Sequence, residues 1–379
     1  MPVLAPWSLL LLSCMTLVDG SAYVEYVEGT GLPIILISGH GGTLSPERDR
    51  PNAGCWDGQK CIFRRGCGKT DRTRCKTTRS NDLYTKDMTV ALREELCGIA
   101  GVCPTAIMGN INRRVLDFNR EIEEACFGVQ SMIDVYNEYY GYLEESKLAL
   151  NGSGIIFDIH GHGHDIARAE LGYAVTKARL NSGNYTENMT SIRNLLERSP
   201  YEMDDILRGE HSLGQYLLLE GYDAIPSPVY PSPSDTSYYS GGYTTKTYGS
   251  RNGGSVDAIQ IESARSHREM PEQMYYVKAL ATAIFKFYKK HYTTESETTT
   301  VEQTTTIQPT TTEAETTLVT TEGKTSTSMP TTTTTTTTTE AAVVTTKQPI
   351  IETSSNGCPK SCLDSFAAFI WGFLCIAFF

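Results

Sequence analysis

Residues 155–164 read Ile-Ile-Phe-Asp-Ile-His-Gly-His-Gly-His. An apolar, β-branched run that stops at an Asp and then at alternating histidines and glycines leaves few folds open. The apolar part predicts a buried strand of a mainly parallel sheet, covered on both faces. Its polar end then falls at the carboxyl edge of that sheet, where open α/β sheets hold their ligands. Three of the seven histidines of the chain stand in residues 160–164. Imidazole is a common metal ligand, so the stretch points to a metal site.

Catalytic zinc takes three protein ligands and leaves a position for water, so partners are expected at other strand ends. Residues 32–42 form a second apolar run that ends in Ser38-Gly39-His40-Gly41-Gly42, and residues 256–262 form a third that ends in Glu262. His40 and His160 are the leading ligand candidates. For the third, Asp82 stands out by type and by its place at a helix start, with Glu47 and Asp49 as rivals. Its other reading is a complement to the helix dipole. Asp158, His162 and His164 are candidates to orient ligands or line the pocket. Glu262 suits a general base that takes a proton from activated water and returns it to a leaving group. In residues 112–120, Asn-Arg-Arg-Val-Leu-Asp-Phe-Asn-Arg, Asp117 can steady an arginine whose planar fork suits a carboxylate.

The rest of the chain sets the context. Residues 1–22 carry an apolar run and small residues, as in a secretory signal peptide. Residues 23–292, about 270 in number, suit one large α/β domain. Within it, residues 43–79 read as a Cys-rich insertion held by disulfides instead of a core. A helix is expected over 80–100 with Ser80 as cap, another over 122–150, and a closing one over 271–288. Tyr23 to Glu28 reads as an edge strand, short strands or turns lie between, and residues 224–254 read as loop or hairpin. Strands alternating with helices argue a parallel or mixed sheet.

Residues 293–354 are Thr-rich without apolar periodicity, which predicts a mucin-like stalk. Residues 355–379 show small residues, a polar spacer and an apolar tail of about 14 residues, the pattern of a GPI attachment signal with Ser355 or Asn356 as anchor site. A tail-end membrane helix is the alternative. The expected location is the extracellular face of the plasma membrane, with a secreted form as a variant. Seven cysteines, at 55, 61, 67, 75, 97, 103 and 126, fall in the folded part. Disulfides suit that compartment, with Cys97–Cys103 and pairs within 55–75 favoured by spacing and one thiol left over. Asn151, Asn184 and Asn188 head glycosylation sequons. A net charge of −11 excludes nucleic acid as a natural partner.

In order along the chain, Ser38-Gly39-His40-Gly41-Gly42, Asn81-Asp82-Leu83-Tyr84-Thr85, Val115-Leu116-Asp117-Phe118-Asn119-Arg120, Asp158-Ile159-His160 and Gly241-Gly242-Tyr243 with Gln260-Ile261-Glu262 resemble N-formylglutamate amidohydrolase-like proteins. That family belongs to the wider zinc carboxypeptidase and aspartoacylase-like group. The resemblance implies an α/β phosphorylase/hydrolase-like fold, with a largely parallel mixed sheet and one Zn2+ per chain. It implies His40, Asp82 and His160 as ligands and Glu262 as base. Arg120 and Asn119 would grip a substrate carboxylate, and Gly242 and Tyr243 would lie near the substrate. Asp117, Asp158 and His162 would support the ligands from behind. Thr43 stands where the carboxypeptidase pattern has a glutamate ligand, and the stalk and anchor differ from a soluble catabolic enzyme. The expectation is a surface-anchored amidohydrolase that cleaves an amide near a free carboxylate, in an N-acyl amino acid or small peptide. The alternatives are a metallocarboxypeptidase and a catalytically silent adhesion protein on the same fold.

Overall fold

The computed structural model describes residues 18–19, 22–46, 50, 53–63 and 74–293. The stalk, the anchor signal with Ser355 and Asn356, most of the leader, Glu47, Asp49 and Cys67 lie outside the described residues. The strands are β1 (Val18–Asp19), β2 (Val24–Val27), β3 (Ile34–Ser38), β4 (Cys55–Trp56), β5 (Cys61–Ile62), β6 (Thr105–Gly109), β7 (Gly154–His162), β8 (Ala169–Gly172), β9 (Ala224–Ile225) and β10 (Val256–Ala264). Apart from the β4–β5 hairpin they form one eight-stranded sheet in the order β1-β2-β6-β3-β7-β10-β8-β9. The central four, β6-β3-β7-β10, run parallel, while β2 and β8 pair antiparallel at their flanks. This is an α/β fold.

The apolar runs explain the centre. Side chains alternate across a strand, so a run buried on both faces feeds two cores. Ile34 and Leu36 of β3 with Ile155, Phe157 and Ile159 of β7 enter one cluster. Ile35, Ile37 and Ile156 enter the other. Helices α1 (Thr85–Ala100), α7 (Leu213–Leu219) and α10 (Glu272–Tyr292) cover the first face. The second is covered by α2 (Ile122–Cys126) and α3 (Gln130–Ala149), the latter through Met132, Val135, Tyr136, Tyr139 and Leu143. Short helices α4 (Lys177–Ser182), α5 (Arg193–Arg198) and α6 (Met203–Arg208) add to the first face.

Several expectations shift. The 80–100 helix starts only at Thr85, behind Tyr84 in a left-handed conformation (φ 69°), so Ser80 is no cap and Asp82 lies in the loop before the helix. The 122–150 helix breaks in two where Phe127 and Gly128 both take positive φ. Phe127 then packs on Phe63 and Cys75, giving the Cys-rich segment a small apolar cluster of its own beside the Cys61–Cys75 bridge. Cys97–Cys103 bridges the end of α1, and Cys126 is a buried free thiol. Strand β2 pairs with β6 on one side and, on the other, with the two-residue β1 inside residues 1–22; within residues 23–292 it is the outermost strand next to β6. Strand β8 and helix α8 (Tyr243–Tyr248) were not apparent in the sequence. Asn151, Asn184 and Asn188 are exposed.

After β3 the chain runs out to β6 and then returns to β7 on the other side of β3. This reversal opens a crevice at the carboxyl ends of β3 and β7, as at the switch point of doubly wound sheets. Phe157 is fully buried on the way to that crevice. Phe157→Ala should cost about 3–5 kcal/mol in equilibrium urea unfolding; a loss under about 1 kcal/mol would contradict the packing described.

Candidate metal centre and cleft

Four segments meet at the crevice: the turn after β3 brings His40, the end of β7 brings Asp158 and His160, the end of β10 brings Gln260 and Glu262, and the loop before α1 brings Asp82. The parallel register sets Asp158 beside Gln260 and His160 beside Glu262. All four share the face of Ile156 and Ala258, because they lie two residues apart along their strands. The Asp82 loop is tied to the β3 turn: its backbone N–H donates to the His40 carbonyl (3.2 Å) and Asn81 Nδ2 donates to the Gly42 carbonyl.

His40 Nδ1 lies 3.1 Å and His160 Nδ1 2.9 Å from the same atom, Asp82 Oδ2. The outer nitrogens face carboxylates: His40 Nε2 is 2.6 Å from Asp117 Oδ1, and His160 Nε2 is 2.9 Å from Asp158 Oδ1. A carboxylate accepts, so each Nε2 is placed to donate outward, while each Nδ1 points inward at the Asp82 carboxylate. The two imidazoles and the carboxylate thus put three donor atoms within 4.8 Å of one another. Zinc bonded at about 2.0–2.2 Å in a tetrahedron holds its ligand atoms roughly 3.3 Å apart. The donor set and its spacing fit such an ion.

The electrostatics agree. Burial alone would raise the Asp82 carboxyl, but His40 and His160 outweigh it and hold it well below the usual range. Burial would strip the proton from His160, but Asp158 and Asp82 outweigh it and hold the imidazole well above its ordinary value. Positive charge is what this cage retains, and a bound cation would supply it.

Asp117 is a hub. Besides His40 it receives Arg113 Nε (3.0 Å), Arg50 Nη1 (3.5 Å) and the Asn119 backbone N–H (3.0 Å). Arg113 also reaches Asp82 Oδ1 (3.5 Å).

A cleft of about 550 Å³ opens over this cage, lined by His40, Asp82, His160, Arg113, Arg120 and Glu262 among others. Glu262 is 6% exposed; burial pushes its carboxyl up to about 8, with His160 opposing. Gln260 Nε2 donates to its Oε1 (2.7 Å) and aims it. Arg120 lines the cleft with its guanidinium steadied by Glu124 (3.1 Å) and the Asn119 carbonyl (2.6 Å).

The Asn119 side chain is engaged as a strut: Nδ2 donates to Gln260 Oε1 (3.5 Å), and Oδ1 accepts from the Thr244 N–H. Gly242 lies so close that a Cβ there would stand 2.1 Å from Asn119 Nδ2. Its N–H donates to Gln260 Oε1, and Tyr243 opens α8 on the cleft wall.

His162 differs from expectation. Its Nε2 donates to the Arg168 carbonyl (2.8 Å) and its Nδ1 accepts from the His164 N–H (3.1 Å), so it supports neither ligand. His164 pairs with Glu170 (2.7 Å) and stacks on Tyr239. Sequence reasoning also passed over Arg113, Gln260, Tyr239 and Lys246 as wall residues. The first two had a signal, Arg113 four residues before Asp117 and Gln260 two before Glu262.

Neither the family models nor the curated proteins contain a match to this chain. Solved structures do. Gene product Atu2144 from Agrobacterium tumefaciens is 12% identical with a TM-score of 0.38, covering 71% of this chain and 93% of its own. An N-formylglutamate amidohydrolase from Ralstonia eutropha is 16% identical with a TM-score of 0.38, covering 71% and 98%. The N-acetylmuramyl-L-alanine amidase of Mycobacterium smegmatis is 14% identical with a TM-score of 0.32, covering 68% and 97%.

If the outer carboxylates orient the imidazoles, Asp117→Asn and Asp158→Asn should each weaken Zn2+ binding about 10–100-fold. Competition against a chromophoric chelator reads this, and unchanged affinity in both would refute the assignment.

Proposed function

We propose that the chain is a zinc-dependent amidohydrolase that cleaves an amide near a free carboxylate, in an N-acyl amino acid or small peptide. The observation that carries this reading is the convergence of His40 Nδ1, His160 Nδ1 and Asp82 Oδ2 beside a buried glutamate in one cleft. When bound, the cation supplies Lewis acidity, polarising the amide carbonyl and acidifying water. The rest falls to the protein. Glu262, aimed by Gln260, takes a proton from the attacking water and passes it to the leaving nitrogen. Arg120 meets the substrate carboxylate with a planar fork, and its ties to Glu124 and Asn119 fix the direction of approach. Arg113 holds Asp82 and Asp117 in place while adding positive charge to the wall.

The setting we propose is the extracellular face of the plasma membrane, with the catalytic domain raised on a glycosylated stalk above a GPI anchor. The Thr-rich tract, the small-residue and apolar pattern of residues 355–379 and the exposed sequons support it. The Cys61–Cys75 and Cys97–Cys103 bridges suit an oxidising compartment. Among the described residues no helix is long and apolar enough to cross a membrane.

The test joins metal content to turnover. Full chain from a secretory host should hold about one zinc and hydrolyse at least one member of a panel of N-formyl and N-acetyl amino acids and dipeptides. Glu262→Gln should keep the zinc and lose about 10²–10⁴-fold in kcat. A folded, zinc-free wild type, or a Glu262→Gln variant of undiminished rate, would sink the proposal.

A further inference from the structure

Arg268 follows β10 in α9 (Arg265–Arg268) and is 4% exposed. Its guanidinium meets no carboxylate within ion-pair distance among the described residues. It donates instead to three backbone carbonyls. Nε donates to Ser263 (3.1 Å), Nη2 to His162 (3.1 Å), and Nη1 to Leu83. Those carbonyls belong to three different segments. Ser263 follows Glu262, Leu83 follows Asp82, and His162 lies two residues beyond His160.

A buried guanidinium without a carboxylate partner is costly to keep. Three well-placed carbonyls offset part of that cost, and in turn they are held at fixed distances by one rigid, planar group. Gly161 makes room for it: a Cβ at that position would stand 2.3 Å from the Arg268 Cζ. The first glycine of the alternating run is therefore a seat for the arginine, and not a flexible link.

We infer that Arg268 is a positioning residue that staples the segments bearing Asp82, His160 and Glu262 into register, and so sets the cage to the size of the metal ion. This rests on the metal-centre reading above. The cage is assembled from a β-strand end, a second strand end and a loop, and the loop is the element with least regular hydrogen bonding to hold it. Without Arg268 the Leu83 carbonyl loses its tie to the sheet, and the Asp82 loop is then held by its backbone ties to the β3 turn and by the side-chain contacts of Asp82 to His40, His160, Arg113 and the Gly161 N–H.

The experiment uses the full chain, stripped by a chelator and titrated with Zn2+ against a chromophoric competitor, with the melting temperature of the metal-free protein recorded in parallel. A wild type that binds no ion brings down the metal reading and this inference together. With wild-type binding established, Arg268→Gly should bind Zn2+ about 10–100-fold more weakly. Millimolar guanidinium should restore most of the loss without raising the metal-free melting temperature equally, which a merely structural role would not produce. Arg268→Lys should recover less, because one ammonium cannot reach three carbonyls. Gly161→Ala, which leaves every ligand intact, should also weaken binding. Zn2+ affinity within twofold of wild type in Arg268→Gly overturns the inference, as does a loss that guanidinium fails to reverse. Should Arg268→Gly not be recovered folded, wild-type affinity in both Arg268→Lys and Gly161→Ala overturns it.

Discussion

Two imidazoles that share one carboxylate oxygen are the constraint on which this structure turns. His40 and His160 each give their outer nitrogen to a buried carboxylate, and each turns its inner nitrogen to Asp82 Oδ2. Neither ring can rotate without abandoning a carboxylate in a buried, low-dielectric site, where an unpaired charge is expensive. The cage is therefore rigid before any ligand arrives, and preorganisation of this kind is what allows a site to bind an ion without first reordering its own side chains.

That rigidity has an electrostatic cost, which the surrounding elements offset. Asp82, Asp117, Asp158 and Glu262 are all buried around the two imidazoles. Arg50 and Arg113 compensate Asp117, and Arg113 extends to Asp82. Burial pulls the Asp117 carboxyl upward, yet Arg113 and His40 together hold it well below its ordinary value. Glu262 is left on the other side of this balance, with its carboxyl raised by burial and by the neighbouring acids. One fold thus keeps Asp82 and Asp117 firmly ionised and Glu262 ready to exchange a proton. The difference arises because the arginines gather on the Asp117 side of the cage, while Glu262 faces the cleft and leans on Gln260.

The parts of this arrangement that strands dictate were readable from the chain. His40, His160 and Glu262 end apolar runs, and an apolar run buried on both faces has one place in an α/β sheet. The parallel register then brings His160 beside Glu262 without further information. What could not be read is what loops decide. Asp82 looked like a first-turn helix residue, since Asp near a helix start is ordinary. The left-handed Tyr84 delays the helix, and ties to the His40 and Gly42 carbonyls turn the loop inward. His162 was expected to orient a ligand or line the pocket beside His160, and two residues along a strand do share a face. It lies in the last residue of β7, where the chain turns toward β8, and its ring is claimed by the Arg168 carbonyl and the His164 N–H. The missed α8 has the same origin: Tyr, Thr, Gly and Ser carry weak helical preference, and the turn forms because Asn119 and Gln260 accept N–H groups at its start.

Arginine is what converts these separate segments into one site. Arg113 and Arg50 gather the carboxylates behind the imidazoles, while Arg268 gathers backbone carbonyls from the segments that carry Asp82, His160 and Glu262. The two sets act on different objects. A carboxylate network adjusts charge, and its effect falls if charge is supplied by other means, as by a bound cation. A carbonyl staple adjusts distance, and its effect persists whatever the charge of the cage. On the proposed reading, a site that holds an ion at one size while a neighbouring glutamate gains and loses a proton needs both. The glycines alternating with the histidines admit the second: with any side chain at Gly161 the guanidinium could not lie against the strand, and the loop carrying Asp82 would lose that fixed distance from β7.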